Sequence, residues 1–312
     1  MVQTRRDRLT PLAVFLVLAV AIPATVGAAT AKKKRELRGE LVEFQTTDGW
    51  TLSGRYFPSK EDDALTFVLL HESRGRKQNW YWLARSLARR GVGYLAIDLR
   101  GHGMSQNPPE GVDGSYRKFR VKRGDNPWDR MRGDVDAAVA WLVEQGVPIE
   151  SIAVGGAEVG GSIALRYAAL HPDVPMLFML SPGMSYKEVL TVNAMRAYRD
   201  RPILLAVAED DRRSATETPI LYEFAKRSAG EDNATILSAE RGHGTRMLYY
   251  SRGLIPQILE WIDEPMKAPD IGEPSDTFPG VEQEEDTEAE KKARHGLPSD
   301  DDLESIVGGV VD

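Results

Sequence analysis

Short apolar runs alternate with longer segments of helical periodicity through the central part of the chain. Apolar runs without polar alternation indicate strands that are buried on both faces, as in parallel sheets. Such strands are predicted at residues 66–70, 92–99, 151–157, 174–180, 203–208 and 234–237. Helices are predicted at residues 79–90, 128–145, 163–170, 187–198, 220–229 and 248–262. The alternation predicts an α/β fold with a mostly parallel central sheet and helices on both faces.

Two strand-like segments precede this alternation. Residues 40–44 and 50–57 flank Asp48 and Gly49, and an Asp-Gly pair between strands is typical of a tight hairpin. We expect this hairpin to form an antiparallel edge of the sheet.

A glycine-rich turn separates the strand that begins at Ser151 from the helix that follows it. The turn has the pattern Gly156-x-Glu158-x-Gly160. Glycines on either side of a sharp strand-to-helix turn leave room for a strained central residue. The pattern therefore places Glu158 at the apex of a tight and exposed turn.

Acidic residues and a histidine follow the ends of two later predicted strands. Residues 209–211 are Glu, Asp and Asp, and they come directly after the strand at 203–208. His243 lies between two glycines after the next strand. The carboxyl ends of parallel strands are where ligand-facing groups lie in open α/β sheets. Three consecutive acids are otherwise typical of a solvated turn, so their position after the strand carries the functional interpretation.

Five motifs in this order resemble those of the small, lidless bacterial α/β-hydrolases related to dienelactone hydrolases and carboxylesterases. The motifs are residues 69–71, 96–105, 155–161, 209–215 and 242–248. The resemblance covers residues 40–263 and implies the α/β-hydrolase fold. The short interval between Ser181 and Arg201 leaves no room for a large cap domain.

The resemblance also implies roles for individual residues. His243 matches the general base, and Asp211 matches the acid that orients it, with Asp210 as the alternative. The amide of Val159 matches one oxyanion-hole donor, and the second would come from Glu72 or Ser73. His71 and His102 match positions that usually have structural roles.

Glu158 departs from the family pattern, which has serine at the apex of this turn, called the nucleophile elbow. The carboxylate lacks the hydroxyl that a serine mechanism requires, and it would either occupy the oxyanion hole or pair with His243. Four hypotheses follow. In the first, the protein is a catalytically degenerate homologue that binds a ligand or partner. In the second, it is a hydrolase in which Ser162 or Ser73 is the substitute nucleophile. Alternatively, Glu158 is a covalent nucleophile, as aspartate is in haloalkane dehalogenases and epoxide hydrolases, or the chain is purely an interaction protein.

Composition narrows these alternatives only slightly. The 312 residues include no cysteine, so thiol chemistry is excluded. The five histidines lack metal-ligand spacing, and no cofactor is predicted.

We find no basic stripe with interleaved aromatic residues, so nucleic acid is not an expected partner. A small-molecule ligand or an ester-like substrate fits the pattern better. Arg74, Arg76 and Lys77 are interpreted as surface charge.

The two ends of the chain differ in composition from its centre. Residues 1–31 have the basic, apolar and small-residue regions of a bacterial-type signal peptide, which predicts a periplasmic or extracellular protein. The alternative is an uncleaved membrane anchor. Residues 32–39 form a basic linker. Residues 264–312 carry a net charge of −11, against −7 for the whole chain, and are predicted to be a disordered acidic tail suited to a basic partner.

Overall fold

The computed structural model describes residues 36–61 and 64–265. The predicted signal peptide, residues 32–35 of the linker and residues 266–312 of the acidic tail lie outside the described residues. Among the described residues, ten strands form an eight-stranded sheet and a separate two-stranded hairpin. The strands are β1 (Glu40–Gln45), β2 (Thr51–Phe57), β3 (Thr66–Leu70), β4 (Gly93–Asp98), β5 (Ile152–Ala157), β6 (Leu177–Leu180), β7 (Ser185–Tyr186), β8 (Val189–Leu190), β9 (Ile203–Ala208) and β10 (Ala234–Ala239).

The order of the large sheet is β1-β2-β4-β3-β5-β6-β9-β10. Strand β1 pairs antiparallel with β2, and β2 pairs antiparallel with β4. Every other neighbouring pair is parallel. The fold class is thus confirmed: the opening hairpin forms an antiparallel edge on a mostly parallel sheet.

Seven α-helices connect or follow the strands. They are α1 (Tyr81–Arg90), α2 (Arg132–Glu144), α3 (Val159–Leu170), α4 (Val192–Ala197), α5 (Arg212–Ala229), α6 (Met247–Tyr250) and α7 (Leu254–Asp263), all within the described residues. Helices α2, α3, α4 and α5 contribute to an apolar core on one face of the sheet. Helices α1, α6 and α7 contribute to a second core on the other face. The predicted coverage of both faces is therefore observed.

All six predicted helices differ from the structure in their bounds, and three of them differ most. Helix α5 begins at Arg212, eight residues before the prediction, and includes Pro219. The segment predicted at 187–198 contains the turn and second strand, β8, of the β7–β8 hairpin and only a short helix, α4. The segment predicted at 248–262 is divided into α6 and α7. These differences arise because helical periodicity does not mark a turn inside a segment, and because a proline need not end a helix.

The loops at the carboxyl edge of the parallel strands carry the predicted site residues. The long connection of residues 99–131, between β4 and α2, also begins at this edge. No large cap is present among the described residues, since the interval between β6 and β9 holds only the β7–β8 hairpin and α4.

Candidate active site

The turn between β5 and α3 has the strained backbone of a nucleophile elbow. Glu158 lies at its apex with φ 51° and ψ −119°, a combination that non-glycine residues rarely adopt. A Cβ atom added to Gly156 would lie 2.3 Å from the Gly160 carbonyl oxygen. One added to Gly160 would lie 2.4 Å from the Leu70 carbonyl oxygen. Only glycine permits this close crossing of α3 over β3 and β5.

The side chain of Glu158 is held by the loop that follows β3. The Ser73 amide donates a hydrogen bond of 2.5 Å to Glu158 Oε2. The Ser73 hydroxyl donates a second bond of 3.0 Å to Glu158 Oε1. Ser73 was one of the two positions expected to supply an oxyanion-hole amide. In this structure, that amide is engaged by the carboxylate at the elbow apex.

His243 and Asp211 lie together, at the ends of β10 and β9. His243 Nδ1 is 2.8 Å from Asp211 Oδ2. The alternative acid, Asp210, accepts a hydrogen bond from the Gly242 amide at 2.7 Å. Asp211 begins α5 as its N-cap residue, and its side chain is 8% exposed. The geometry thus pairs His243 with Asp211, while Asp210 stabilises the backbone of the histidine loop.

The charges around His243 favour its protonated form. The hydrogen bond with Asp211 raises the pKa of His243, burial opposes this effect, and the negative charges of Asp211, Glu158 and Glu72 raise the pKa further. Burial also acts to raise the pKa of Asp211, but hydrogen bonds from His243, Ser181 and Ser214 leave this pKa lowered overall. The pair therefore favours an imidazolium beside a carboxylate.

Glu72 joins the two loops that border the site. Its carboxylate accepts hydrogen bonds from Asn79 Nδ2 at 2.7 Å and from Thr245 Oγ1 at 2.8 Å. Thr245 lies two residues after His243, so this contact fixes the distance between the loop after β3 and the histidine loop. Glu72 was expected as a possible oxyanion-hole residue, and its side chain is a positioning group for both loops.

Ser162 and Val159 lie on the first turns of α3 and are fully buried. The Ser162 hydroxyl is directed toward the Glu158 carbonyl oxygen, 3.5 Å away within the same helix. Of the two candidate substitute nucleophiles, only Ser73 contacts the Glu158 carboxylate.

The other two histidines near the site are buried and bonded to backbone. His71 Nε2 accepts a hydrogen bond from the Leu99 amide at 3.1 Å, and burial lowers the pKa of this imidazole. His102 Nε2 is 2.9 Å from the Ser73 carbonyl oxygen, and its ring stacks on Tyr116. Burial lowers the pKa of His102 to about 4. Both side chains shape the loops around Ser73.

Lys77 corrects the interpretation of residues 74–77 as surface charge. Arg74 and Arg76 are exposed, but Lys77 is fully buried. Lys77 Nζ lies 2.5 Å from Asp98 Oδ2 and donates a hydrogen bond to Ser53 at 3.1 Å. The sequence gave no sign that, of Arg74, Arg76 and Lys77, one side chain is directed inward and anchors the loop.

Tyr186 is a neighbour of the site that the sequence did not indicate. It lies on the β7–β8 hairpin, with its ring 6.3 Å from the His243 ring. Its hydroxyl is 2.9 Å from Ser214 Oγ, and burial raises its pKa to about 12. The only available signal was an aromatic residue in the interval between β6 and β9.

An eight-stranded sheet, an elbow between β5 and α3, and a histidine–aspartate pair at the ends of β10 and β9 define the α/β-hydrolase class. The described part of the chain has the α/β-hydrolase fold and is similar to members of that superfamily. Residues 66–202 match the family model described as alpha/beta hydrolase fold.

Known proteins similar to this chain agree with that class. The AB hydrolase superfamily protein YisY of Bacillus subtilis is 35% identical over 116 residues, 36% of each chain. The Pyrococcus furiosus esterase Pf2001 has a TM-score of 0.58 and 19% identity, covering 73% of this chain and 91% of the esterase. The dienelactone hydrolase of Anabaena variabilis has a TM-score of 0.57 and 17% identity, covering 73% and 98%.

These similarities differ in how much of each protein they cover and in what they support. The chain spans 36 to 56% of the length of the curated relatives that it matches. The two solved structures are below 20% identity, so they support the fold alone. Within residues 36–61 and 64–265, no group of His, Asp or Glu side chains is arranged to hold a metal ion. The helices of that same part of the chain are all too short or too polar to cross a bilayer.

Proposed function

We propose that the protein is an exported α/β-hydrolase homologue that has lost serine-esterase catalysis and binds a ligand or partner at its site. The observation that carries the proposal is the 2.5 Å hydrogen bond from the Ser73 amide to Glu158 Oε2. In a serine hydrolase of this class, an amide at this place would stabilise the oxyanion of the tetrahedral intermediate. Here it binds a carboxylate that belongs to the protein itself.

The substitution removes two parts of the serine mechanism together. Glu158 lacks the hydroxyl that His243 would activate as a nucleophile. Its carboxylate also occupies a donor that a substrate oxyanion needs, and loss of one such donor costs about a hundred- to a thousandfold in rate. A negative charge at this position would further oppose the negative charge that develops on the substrate.

The other residues of the site support a hydrolase active site that has lost its nucleophile, in preference to a site that never had this catalytic arrangement. The His243–Asp211 pair has hydrogen-bond geometry at 2.8 Å, and the elbow keeps its strained apex. Such strain persists only where the surrounding structure enforces it. The signal-like pattern of residues 1–31 supports the export part of the proposal.

The test is an esterase assay of the full-length chain and its Glu158→Ser variant on p-nitrophenyl butyrate. We expect no wild-type turnover above the buffer rate. We expect the variant to be at least about 100-fold faster than the wild type, because the substitution supplies a nucleophile and frees the Ser73 amide. Adding His243→Ala to the variant should remove the gain.

Two results would overturn the proposal. One is wild-type turnover that Ser73→Ala abolishes, which would identify an active hydrolase. The other is a Glu158→Ser variant that has the wild-type circular dichroism spectrum and remains inactive, because the remaining groups would then not be a disarmed triad.

A second candidate function rests on the Ser73 hydroxyl. Its 3.0 Å hydrogen bond to Glu158 Oε1 is the geometry of a nucleophile beside a base. In that case, Ser73 would attack the ester and Glu158 would accept its proton. The Ser73→Ala arm of the same assay separates this function from the first.

A further inference from the structure

A sizeable cavity lies away from the candidate active site. Its volume is about 480 Å³, and it is formed by the turn between β1 and β2 and by the long loop of residues 99–131. Cavities of about 300–1,000 Å³ are typical of small-molecule sites. None of the described residues Ser73, Glu158, Asp211 and His243 lines it. The cavity is therefore a separate place for a ligand.

The part of the long loop that forms its outer wall is strongly basic. Residues 115–132 contain seven Lys or Arg and two Asp, in a chain whose net charge is −7. This segment also contains Tyr116, Phe119 and Trp128. It is therefore a basic stretch with aromatic residues, which the sequence analysis did not identify. Loops of this length without extended secondary structure are often functional.

The cations that line the cavity outnumber the carboxylates. Five cationic side chains face three carboxylates, and each carboxylate is paired. The pairs are Arg100–Asp48 at 2.5 Å, Lys118–Asp113 at 2.7 Å and Arg130–Asp125 at 2.9 Å. Arg120 and Lys122 are left, and no carboxylate among the described residues lies within ion-pair distance of either.

Arg120 is oriented although its charge is not neutralised. Its Nη1 donates hydrogen bonds to the carbonyl oxygens of Arg117 and Phe119, at 2.9 and 3.0 Å. Lys122 is held close by through its backbone, which pairs with that of Asp125 in a tight turn. The cavity thus presents two exposed positive charges, of which that of Arg120 is oriented by backbone carbonyl groups, and their free N–H donors can bind an anionic group.

The floor of the cavity is apolar and rigid. Trp50 is 3% exposed, and its ring packs edge-on against that of Phe119 at 6.2 Å. Pro109, Val112 and Pro127 complete the apolar wall. Below the floor, the Trp128 ring packs against Phe119 at 5.8 Å, so the loop is anchored to the core. A flat hydrocarbon body fits such a surface better than a polar chain does.

We infer that this cavity binds a small organic anion that joins an aromatic or alicyclic body to a carboxylate, sulfonate or phosphate group. The body packs on Trp50 and Phe119, and the anionic group lies between Arg120 and Lys122. A nucleic acid fits less well, because Tyr116 stacks on His102 and neither Tyr116 nor Trp128 lines the cavity, so their rings do not offer a stacking surface there.

The test is calorimetric titration of the full-length chain with naphthalene-2-sulfonate, with the neutral naphthalene-2-sulfonamide as the matched probe. We expect saturable one-to-one binding of the sulfonate and at least ~10-fold weaker binding of the sulfonamide. The Arg120→Gln/Lys122→Gln double variant should weaken sulfonate binding by at least ~10-fold. Asp113→Asn should strengthen it about two- to fivefold, because this change frees Lys118.

Two control variants locate the binding. Lys226→Gln removes a partly buried lysine on α5 that does not line the cavity, and Glu158→Ser alters only the candidate active site. Both should bind the sulfonate with wild-type affinity. Equal binding of the two probes, absence of saturable binding, or an unchanged affinity in the double variant would overturn the inference. Because Asp113→Asn acts in the opposite direction, a general loss of folding cannot imitate the expected pattern.

Discussion

At the scale of single residues, the carboxylates around His243 determine the protonation of its imidazole. Asp211 contacts His243 directly, while Glu158 and Glu72 act on it through space. Glu158 itself is hydrogen-bonded to Ser73, one of the two residues predicted to supply an oxyanion-hole amide. The imidazole of His243 thus lies near a carboxylate, which has no hydroxyl group for it to deprotonate.

We predict that Glu158→Gln lowers the pKa of His243, because the change removes a negative charge that favours the imidazolium. NMR titration of the imidazole measures this shift. Glu260→Gln, on the exposed side of α7, is the control and should leave the titration unchanged. Superimposable titration curves for wild type and Glu158→Gln would contradict the prediction.

The same shift has a consequence for stability. A histidine whose pKa is raised in the folded state adds stability that is fully present below its unfolded pKa, about 6.5. This contribution is lost as the pH rises through the higher folded pKa. The stability advantage of wild type over Glu158→Gln that arises from His243 should therefore decrease from acidic to alkaline pH in urea unfolding experiments.

At the scale of elements, the elbow depends on how closely α3 crosses the strands beneath it. A Cβ on Gly160 would meet the carbonyl oxygens of Leu70 and His71 at 2.4 and 2.5 Å. These are backbone atoms of the loop that leads to Ser73, so they cannot move without displacing the Ser73 amide. The crossing therefore sets both the stability of the elbow and the geometry of the site.

We predict that Gly160→Ala lowers the free energy of unfolding by about 1–3 kcal/mol, as overpacking against fixed atoms does. Urea unfolding measures the change. Gly253→Ala is the matched control, because a Cβ there meets no atom within 4 Å and its φ is −77°. A Gly160→Ala variant as stable as Gly253→Ala would show that α3 can move away from β3 at no cost.

Elements with a strong local pattern could be predicted from the sequence. The buried strands, the elbow glycines and the loop that carries His243 each depend on neighbouring residues, and the structure contains all of them. Contacts between distant segments were not visible in the pattern. Ser73 and Glu158 are 85 residues apart, and the inward turn of Lys77 toward Asp98 spans 21 residues. Such contacts depend on how loops meet in space, which periodicity does not encode.

At the scale of the whole molecule, the sheet separates two apolar cores. Leu142 of α2 belongs to the core on one face, and Leu87 of α1 belongs to the core on the other. Both cores use the same strands, because alternate residues of each strand point to opposite faces. We therefore expect the two cores to unfold together.

We predict that Leu142→Ala and Leu87→Ala each lower the free energy of unfolding by about 2–5 kcal/mol. Each should shift one common transition, followed in urea by tryptophan fluorescence and by circular dichroism. Leu170→Ala is the control, because that side chain is 60% exposed. Two separate transitions, or a substitution that affects only one of the two probes, would show that the faces unfold independently.

The backbone at the elbow has a consequence for protein engineering. Its conformation is enforced by Gly156, Gly160 and the crossing of α3 over the sheet, and residue 158 only supplies the side chain at the apex. Glu158 can therefore be replaced by serine, cysteine or aspartate without a change in the surrounding backbone. Because His243 and Asp211 are already paired beside it, a small library at this one position would compare several nucleophiles in an otherwise identical environment.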